Sequence, residues 1–156
     1  MHRLIPLFVA VGVCMLVGVS GSVVTASSVR EWYPGLAKPS WTPPAFLFGP
    51  VWSALYVMMG ASAWLVWLAE DSAGRTRALV LFGLQLVLNA LWSLIFFGLR
   101  SPGWAFVEIV ALWVAIVATM GAFLKIRPIA SALLVPYVLW VSFAAALNWT
   151  IWSLNR

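Results

Sequence analysis

Three tryptophans, Trp52, Trp92 and Trp140, and two amides, Gln85 and Asn89, are the side chains in this sequence whose positions suggest contact with a ligand. Each lies within a long apolar run, where a polar group marks a functional site by default. The chain contains one cysteine and one histidine. Ser-His-Asp and Cys-His catalytic arrangements and Cys/His zinc sites are therefore not expected. Any chemistry must come from the aromatic side chains or from the ligand itself, and we predict neither a metal site nor a required cofactor.

Helical periodicity aligns these residues on four faces, each with an aromatic side chain near one end. The faces are Trp52, Tyr56, Met59 and Ala63 on the second apolar run; Gln85, Asn89, Trp92 and Phe96 on the third; Trp104, Glu108, Ala111, Ala115, Ala118 and Ala122 on the fourth; and Trp140, Ala144, Asn148 and Ile151 on the fifth. Together they predict an aromatic-walled cavity inside a helical bundle.

The same faces also have a purely structural interpretation. Gln85 and Asn89 are equally consistent with hydrogen bonds that bridge helices, and the alanines of the fourth run with a close contact between helices or subunits. Tryptophans near the ends of apolar runs commonly lie at the membrane interface. The pattern alone leaves both interpretations open.

The composition places these runs in a membrane. The chain is 64% hydrophobic and 8% charged, with a mean hydropathy of +1.03, whereas average globular chains carry about 25% charged residues. The net charge of +5 comes from residues between the runs, without the basic stripe of a nucleic-acid-binding protein. Because crossing a bilayer takes ~20 apolar residues as helix, we predict an all-α integral membrane protein.

Residues 1–156 are expected to form a single domain of five transmembrane helices. The predicted spans are 4–25, 46–69, 77–99, 103–124 and 129–154. Pro136 falls inside the fifth span and predicts a bend near Ala132, whose carbonyl loses its partner. A signal peptide cleaved near Thr25 is the competing interpretation of the first span.

The stretch Arg30–Pro50 after the first span holds five of the nine prolines and two of the eleven tryptophans. Proline is incompatible with a regular helix interior, so we predict an ordered, non-helical loop over the bundle. Within it, residues 41–44 are expected to form a rigid cover, with Trp32 and Trp41 as interfacial anchors.

Several segments resemble a known family over nearly the whole chain from Glu31 onward. They are WYPGLAKPSWTPP, FGPVWSALYVMMG, QLVLNALWSLIFFG, GWAFVE and PYVLWVSFAAALNWTIWSLN. This resemblance identifies the chain as similar to the TspO/MBR family, the tryptophan-rich sensory proteins, translocator proteins or peripheral-type benzodiazepine receptors.

The resemblance implies a dimeric five-helix bundle whose pocket binds porphyrins such as protoporphyrin IX, sterols and benzodiazepine-like ligands. It also implies that Trp52 and Trp140 carry a light-dependent breakdown of porphyrin in bacterial members. Trp149 stands where the family's sterol-recognition pattern needs tyrosine, which weakens the case for cholesterol. The predicted ligand-binding set is Trp41, Trp52, Gln85, Asn89, Trp92, Trp104, Trp140, Ala144, Leu147 and Asn148.

Three functions follow as hypotheses. The first is a receptor or carrier for porphyrin-type or haem-related tetrapyrroles, whose propionates would reach Arg30, Lys38 and Arg100 at the mouth of the pocket. The second is a light- and oxygen-dependent porphyrin-degrading enzyme that uses Trp52 and Trp140. The third is a regulatory or structural membrane partner acting through the alanine face. We expect a multi-pass protein of a bacterial cell membrane.

Overall fold

In a computed structural model of the protein, residues 4–69 and 73–156 are described, and this part of the chain is almost entirely helical. The helices are α1 (Ile5–Glu31), α2 (Ala45–Trp67), α3 (Ala73–Ser93), α4 (Pro102–Leu124), α5 (Pro128–Leu133) and α6 (Val135–Leu154). A 3₁₀ turn, Tyr33–Gly35, follows α1, and a π-helical turn, Leu94–Gly98, extends α3.

These helices form five stretches long and apolar enough to cross a membrane, with α5 and α6 sharing the last of them. The predicted all-α, five-span membrane architecture is thereby confirmed. α1 packs against α2, and α4 packs against both α3 and α6. The buried side chains between them include Met59, Phe123 and Tyr137, each at most 1% exposed.

The bend predicted from Pro136 is confirmed. Helix α5 ends at Leu133 and α6 begins at Val135, with Leu134 between them. Pro136 has no N–H to donate to the carbonyl of Ala132. The backbone N–H of Leu134 donates to the carbonyl of Ser131 at 3.0 Å as α5 ends.

The stretch Arg30–Pro50 is non-helical only in its middle part. The prediction of a loop is wrong at Arg30 and Glu31, whereas the predicted second span, 46–69, already placed Pro50 in a helix. α1 continues through Arg30 to Glu31, and α2 already begins at Ala45, so that Pro50 lies inside it. Pro50 is tolerated because it stands in the second turn of α2, where its missing N–H removes only one bond close to the helix start. Between these helices the connection is non-helical apart from the turn Tyr33–Gly35.

Candidate functional site

A cavity of about 760 Å³ lies between α1, α2, α3 and α6 and is closed by the connection from α1 to α2. Its size is within the range of about 300–1,000 Å³ typical of small-molecule sites. The aromatic side chains in its wall are Tyr33, Phe48, Trp52, Tyr56, Trp92, Phe97 and Trp140. Of the predicted ligand-binding residues, those that line it are Trp52, Asn89, Trp92, Trp140 and Ala144.

Helix α1 supplies one side of the cavity with small or aliphatic residues. They are Met15, Val17, Gly18, Val19, Gly21, Ser22, Thr25 and Val29. A Cβ atom on Gly18 would collide with the ring of Tyr56, so the missing side chain lets α2 place that ring in the wall. The small surface at Gly18 is therefore used for packing between α1 and α2.

The two tryptophans of the proposed chemistry, Trp52 and Trp140, both lie in the cavity wall and are both partly buried. Trp52 stacks on Tyr56 with ring centroids 5.5 Å apart. Trp140 meets Phe48 edge to face at 5.8 Å. Its indole Nε1 is buried and has no hydrogen-bond partner among the described residues.

A chain of buried hydrogen bonds leads from the cavity into the centre of the bundle. The hydroxyl of Tyr56 donates to Oδ1 of Asn89 at 2.7 Å, and Nδ2 of Asn89 donates to the hydroxyl of Tyr137 at 3.1 Å. Tyr137 in turn donates to Oε1 of Gln85 at 2.9 Å. Gln85 is 1% exposed and outside the cavity lining. Asn89 thus faces the cavity, whereas Gln85 anchors the network behind it.

Asn148 is held in a second polar contact. The indole Nε1 of Trp92 donates to its Oδ1 at 3.0 Å, and its Nδ2 donates to the carbonyl of Pro102 at 2.7 Å. With Leu147 it lines a smaller void of about 40 Å³, which shares Trp92 and Ala144 with the main cavity. Asn148 therefore orients Trp92, and it lies behind the wall that a ligand in the main cavity would touch.

Lys38 borders the cavity, but its ammonium is engaged by the loop itself. Nζ donates to the carbonyls of Tyr33 at 2.7 Å, Leu36 at 2.9 Å and Pro34 at 3.3 Å. Nζ also lies 4.7 Å from the ring centroid of Tyr33. Burial raises the pKa of Tyr33 above its ordinary value, so its phenol group stays neutral beside the ammonium. A ligand carboxylate would have to replace one of these carbonyls.

The remaining predicted residues lie outside the cavity lining. Trp41 packs on Phe143 with ring centroids 5.7 Å apart and is 47% exposed. Trp104 is 72% exposed on the outer side of α4. Arg30 lies in the last turn of α1, and Arg100 lies in the turn between α3 and α4 with φ 51°. Both are exposed.

The face of α4 that carries Glu108 and the regularly spaced alanines is divided between the inside and the outside of the bundle. Ala115 is buried, whereas Ala111 and Ala118 are exposed on the membrane-facing side of α4. Both carboxylate oxygens of Glu108 are buried without a hydrogen-bond partner among the described residues. A subunit contact through the exposed alanines stays a prediction.

Sequence reasoning missed some of the wall. Phe48, Phe97 and the whole side formed by α1 were not predicted as ligand contacts, although they line the cavity. Phe48 and Phe97 lie within segments that resemble the family, so the motif could have suggested them. α1 lies before the region of resemblance and carries no polar face, and the sequence offered no signal for its contribution.

Comparisons with known proteins match the chain over most of its length. The model of the TspO/MBR family matches residues 10–153, which includes most of α1. The Tryptophan-rich protein TspO of Chlorobaculum tepidum is 46% identical over 154 residues, covering 98% of each chain.

Similarity extends to other organisms. The human Translocator protein is 44% identical over 130 residues, which cover 81% of this chain and 76% of that protein. The Tryptophan-rich sensory protein of Cereibacter sphaeroides is 37% identical over 125 residues, covering 80% and 77% of the two chains.

Proposed function

The chain belongs to the TspO/MBR family, and on that premise we propose that it is a membrane receptor or carrier that binds porphyrin-type tetrapyrroles, such as protoporphyrin IX or haem-related molecules, in the cavity between α1, α2, α3 and α6. Sterols and benzodiazepine-like molecules are further ligand classes for the same cavity. A bacterial cell membrane is the proposed location, and a homodimer the proposed assembly.

The observation that carries this proposal is the cavity of about 760 Å³ with Trp52, Trp92 and Trp140 in its wall. A flat, largely apolar macrocycle gains by stacking on aromatic faces and by leaving water or lipid for a preformed pocket. The amide of Asn89 supplies a polar contact for nitrogen or carboxylate groups. A deep, aromatic-walled site of this kind favours a binding role, whether the ligand is afterwards transported, sensed, stored or degraded.

Porphyrin propionates would reach the end of the cavity closed by the loop. Lys38 and Thr42 border the cavity there, and Lys38 is the one of the three proposed cations that touches it. Because its ammonium already bonds to three carbonyls, we expect it to contribute mainly by holding the loop and by its positive charge. Arg30 and Arg100 would act on a carboxylate that projects beyond the cavity.

Titration of protoporphyrin IX into the full chain in lipid nanodiscs tests the binding role. We expect saturable quenching of tryptophan fluorescence, and Trp52→Leu should raise Kd about tenfold through lost stacking. Trp113→Phe is the matched control, since the Trp113 indole bonds to Ser142 at an exposed position outside the cavity. Quenching that does not saturate, or equal Kd changes in both variants, would contradict the proposal.

A second candidate function is light-dependent breakdown of the bound porphyrin, and the specific observation in its favour is that Trp52 and Trp140 border the same cavity. In this role the excited pigment would exchange an electron with an indole in contact with it, with molecular oxygen as the oxidant. Binding alone requires only aromatic surfaces, whereas this reaction requires indole.

We expect Trp52→Phe and Trp140→Phe to retain most of the porphyrin affinity. The loss of the porphyrin absorption band under illumination should slow about tenfold, which corresponds to a barrier higher by about 1.4 kcal/mol. Rates are compared at equal bound porphyrin, in air and under argon, with Trp113→Phe as control. Unchanged rates in both variants would leave the binding role alone.

A further inference from the structure

The segment Leu36–Pro44, called here the cover segment, separates the cavity from the side of the membrane at which α1 ends. Four of its residues line the cavity, namely Lys38, Pro39, Thr42 and Pro43. Its shape is fixed from within, since Lys38 bonds to preceding carbonyls and the Thr42 hydroxyl donates to the carbonyl of Pro39 at 2.8 Å. These bonds stay inside the connection and do not attach it to a helix.

The attachment is made by one side chain, that of Asn155, just after the end of α6. The backbone N–H of Ala37 donates to Oδ1 of Asn155 at 2.9 Å, and Nδ2 of Asn155 donates back to the carbonyl of Ala37 at 2.9 Å. A third bond joins Nδ2 to the carbonyl of Ile151 at 2.7 Å. At its C-terminal end the cover segment runs into α2, where Leu47 N–H donates to the carbonyl of Pro44 at 3.0 Å. Among the described residues, the two bonds to Ala37 are the hydrogen bonds that join it to the end of α6.

We propose that the Asn155 side chain is a latch that holds the cover segment closed and thereby sets how fast a ligand enters and leaves the cavity. The primary amide is suited to this role because it presents a donor and an acceptor side by side, as the backbone of a neighbouring strand would. Its bond to Ile151 fixes the amide on α6, the helix that also carries Trp140 and Ala144.

The strength of the latch suits a segment that must open. Asn155 is exposed, so water competes for its bonds, and each such bond contributes little net stability. Trp41 against Phe143 adds an aromatic contact between the cover segment and α6. Leu36, at the start of the cover segment, also packs against the buried cluster that includes Leu147 and Ile151. Opening therefore requires loss of two hydrogen bonds, one ring contact and the packing of Leu36, while the helices keep their own packing.

The first test uses no ligand. In the full chain in nanodiscs, Asn155→Ala should raise the rate of amide hydrogen exchange in residues 36–42 about tenfold. Exchange in residues 140–150 of α6 should stay as slow as in the wild type, which separates an opened cover from a frayed helix. Ser153→Ala is the matched control, because its hydroxyl bonds only to the carbonyl of Trp149 within α6. Unchanged exchange of the cover segment in Asn155→Ala would overturn the latch.

The second test uses protoporphyrin IX and rests on the proposed function. Association and dissociation rates, followed by stopped-flow tryptophan fluorescence, should both rise about tenfold in Asn155→Ala, with a smaller change in Kd. A rise in Kd with unchanged dissociation would overturn the role in gating. If the wild type binds no porphyrin, the proposed ligand fails while the exchange experiment still decides the latch.

Asn155→Asp supplies a readout that a merely structural role would not give. At neutral pH its carboxylate would face the carbonyl of Ala37 and could not donate, whereas the protonated acid donates as the amide does. Relative to the wild type at each pH, dissociation should be about tenfold faster at pH 7 and approach the wild-type rate near pH 4, close to the ordinary pKa of aspartate. A ratio that does not change with pH would contradict the donor role.

Discussion

Gly60→Ala should lower the free energy of unfolding by about 3 kcal/mol, at the upper end of the cost of overpacking a well-packed core. Gly60 is buried in α2 at the contact with α1, and an added Cβ would lie 2.5 Å from the Cα and 2.7 Å from the backbone N of Val11. Backbone atoms cannot rotate away as a flexible side chain can. The two helices would have to separate, and their contact depends on close approach of backbones.

Unfolding by dodecyl sulfate titration, followed by circular dichroism, measures the effect. Gly83→Ala is the control, because a Cβ on this exposed glycine of α3 would meet open space. The control should be neutral or gain up to about 1 kcal/mol from helix propensity. Equal stabilities of the two variants would contradict the close approach at Gly60. Since α1 forms one side of the cavity, Gly60→Ala should also weaken ligand binding.

Asn89→Leu should destabilise the bundle by about 2 kcal/mol. The change removes two buried hydrogen bonds, one from Tyr56 and one to Tyr137, and leaves the Tyr56 hydroxyl without its acceptor. Interhelical bonds in membranes contribute about 0.6 kcal/mol on average, but an unsatisfied buried group costs about 1–3 kcal/mol. The central position of Asn89 makes its loss larger than that of either end of the chain.

The same unfolding assay orders the variants. Tyr56→Phe removes one of the two bonds and should cost about 1 kcal/mol, whereas Trp113→Phe removes an exposed bond to Ser142 and should cost less than about 0.5 kcal/mol. If Asn89→Leu costs no more than Trp113→Phe, the buried chain does not contribute to stability as the geometry indicates. Porphyrin affinity measured alongside would separate this structural role from the place of Asn89 in the cavity wall.

The sequence predicted the helices well because length and apolarity are sufficient to identify a membrane span. Proline chemistry located the break at Leu134, and it located the non-helical part of the connection after α1. Pro50 lies inside the second predicted span because proline is excluded from a helix interior but tolerated near the helix start. Local rules of this kind act within a few residues, so they can be read without knowing the fold.

The cavity was harder to predict because the inner and outer faces of a membrane helix are both apolar. Trp92 faces the cavity and Trp104 faces outward, yet both belong to a stripe of regularly spaced residues. In a soluble protein a polar outer face would have distinguished them. Lipid removes that signal, since its chains are as apolar as a protein core. The sequence placed Asn89 and Gln85 correctly on one face. Only tertiary packing shows that Asn89 contacts the cavity and that Gln85 lies behind it.

The position of α1 has a consequence for measured affinities. Only 6% of the residues in its apolar stretch are buried, against 28–33% in the other four spans, although this helix forms a full side of the cavity. Helix α1 alone separates this side of the cavity from the lipid, and a hydrophobic ligand outside it is dissolved in the bilayer. The ligand concentration that governs occupancy of the cavity is therefore the concentration in the lipid phase. Apparent dissociation constants should therefore scale with the volume of lipid or detergent in the assay and with the partition coefficient of each ligand. Affinities of two ligands become comparable only after each is expressed as a mole fraction in the membrane.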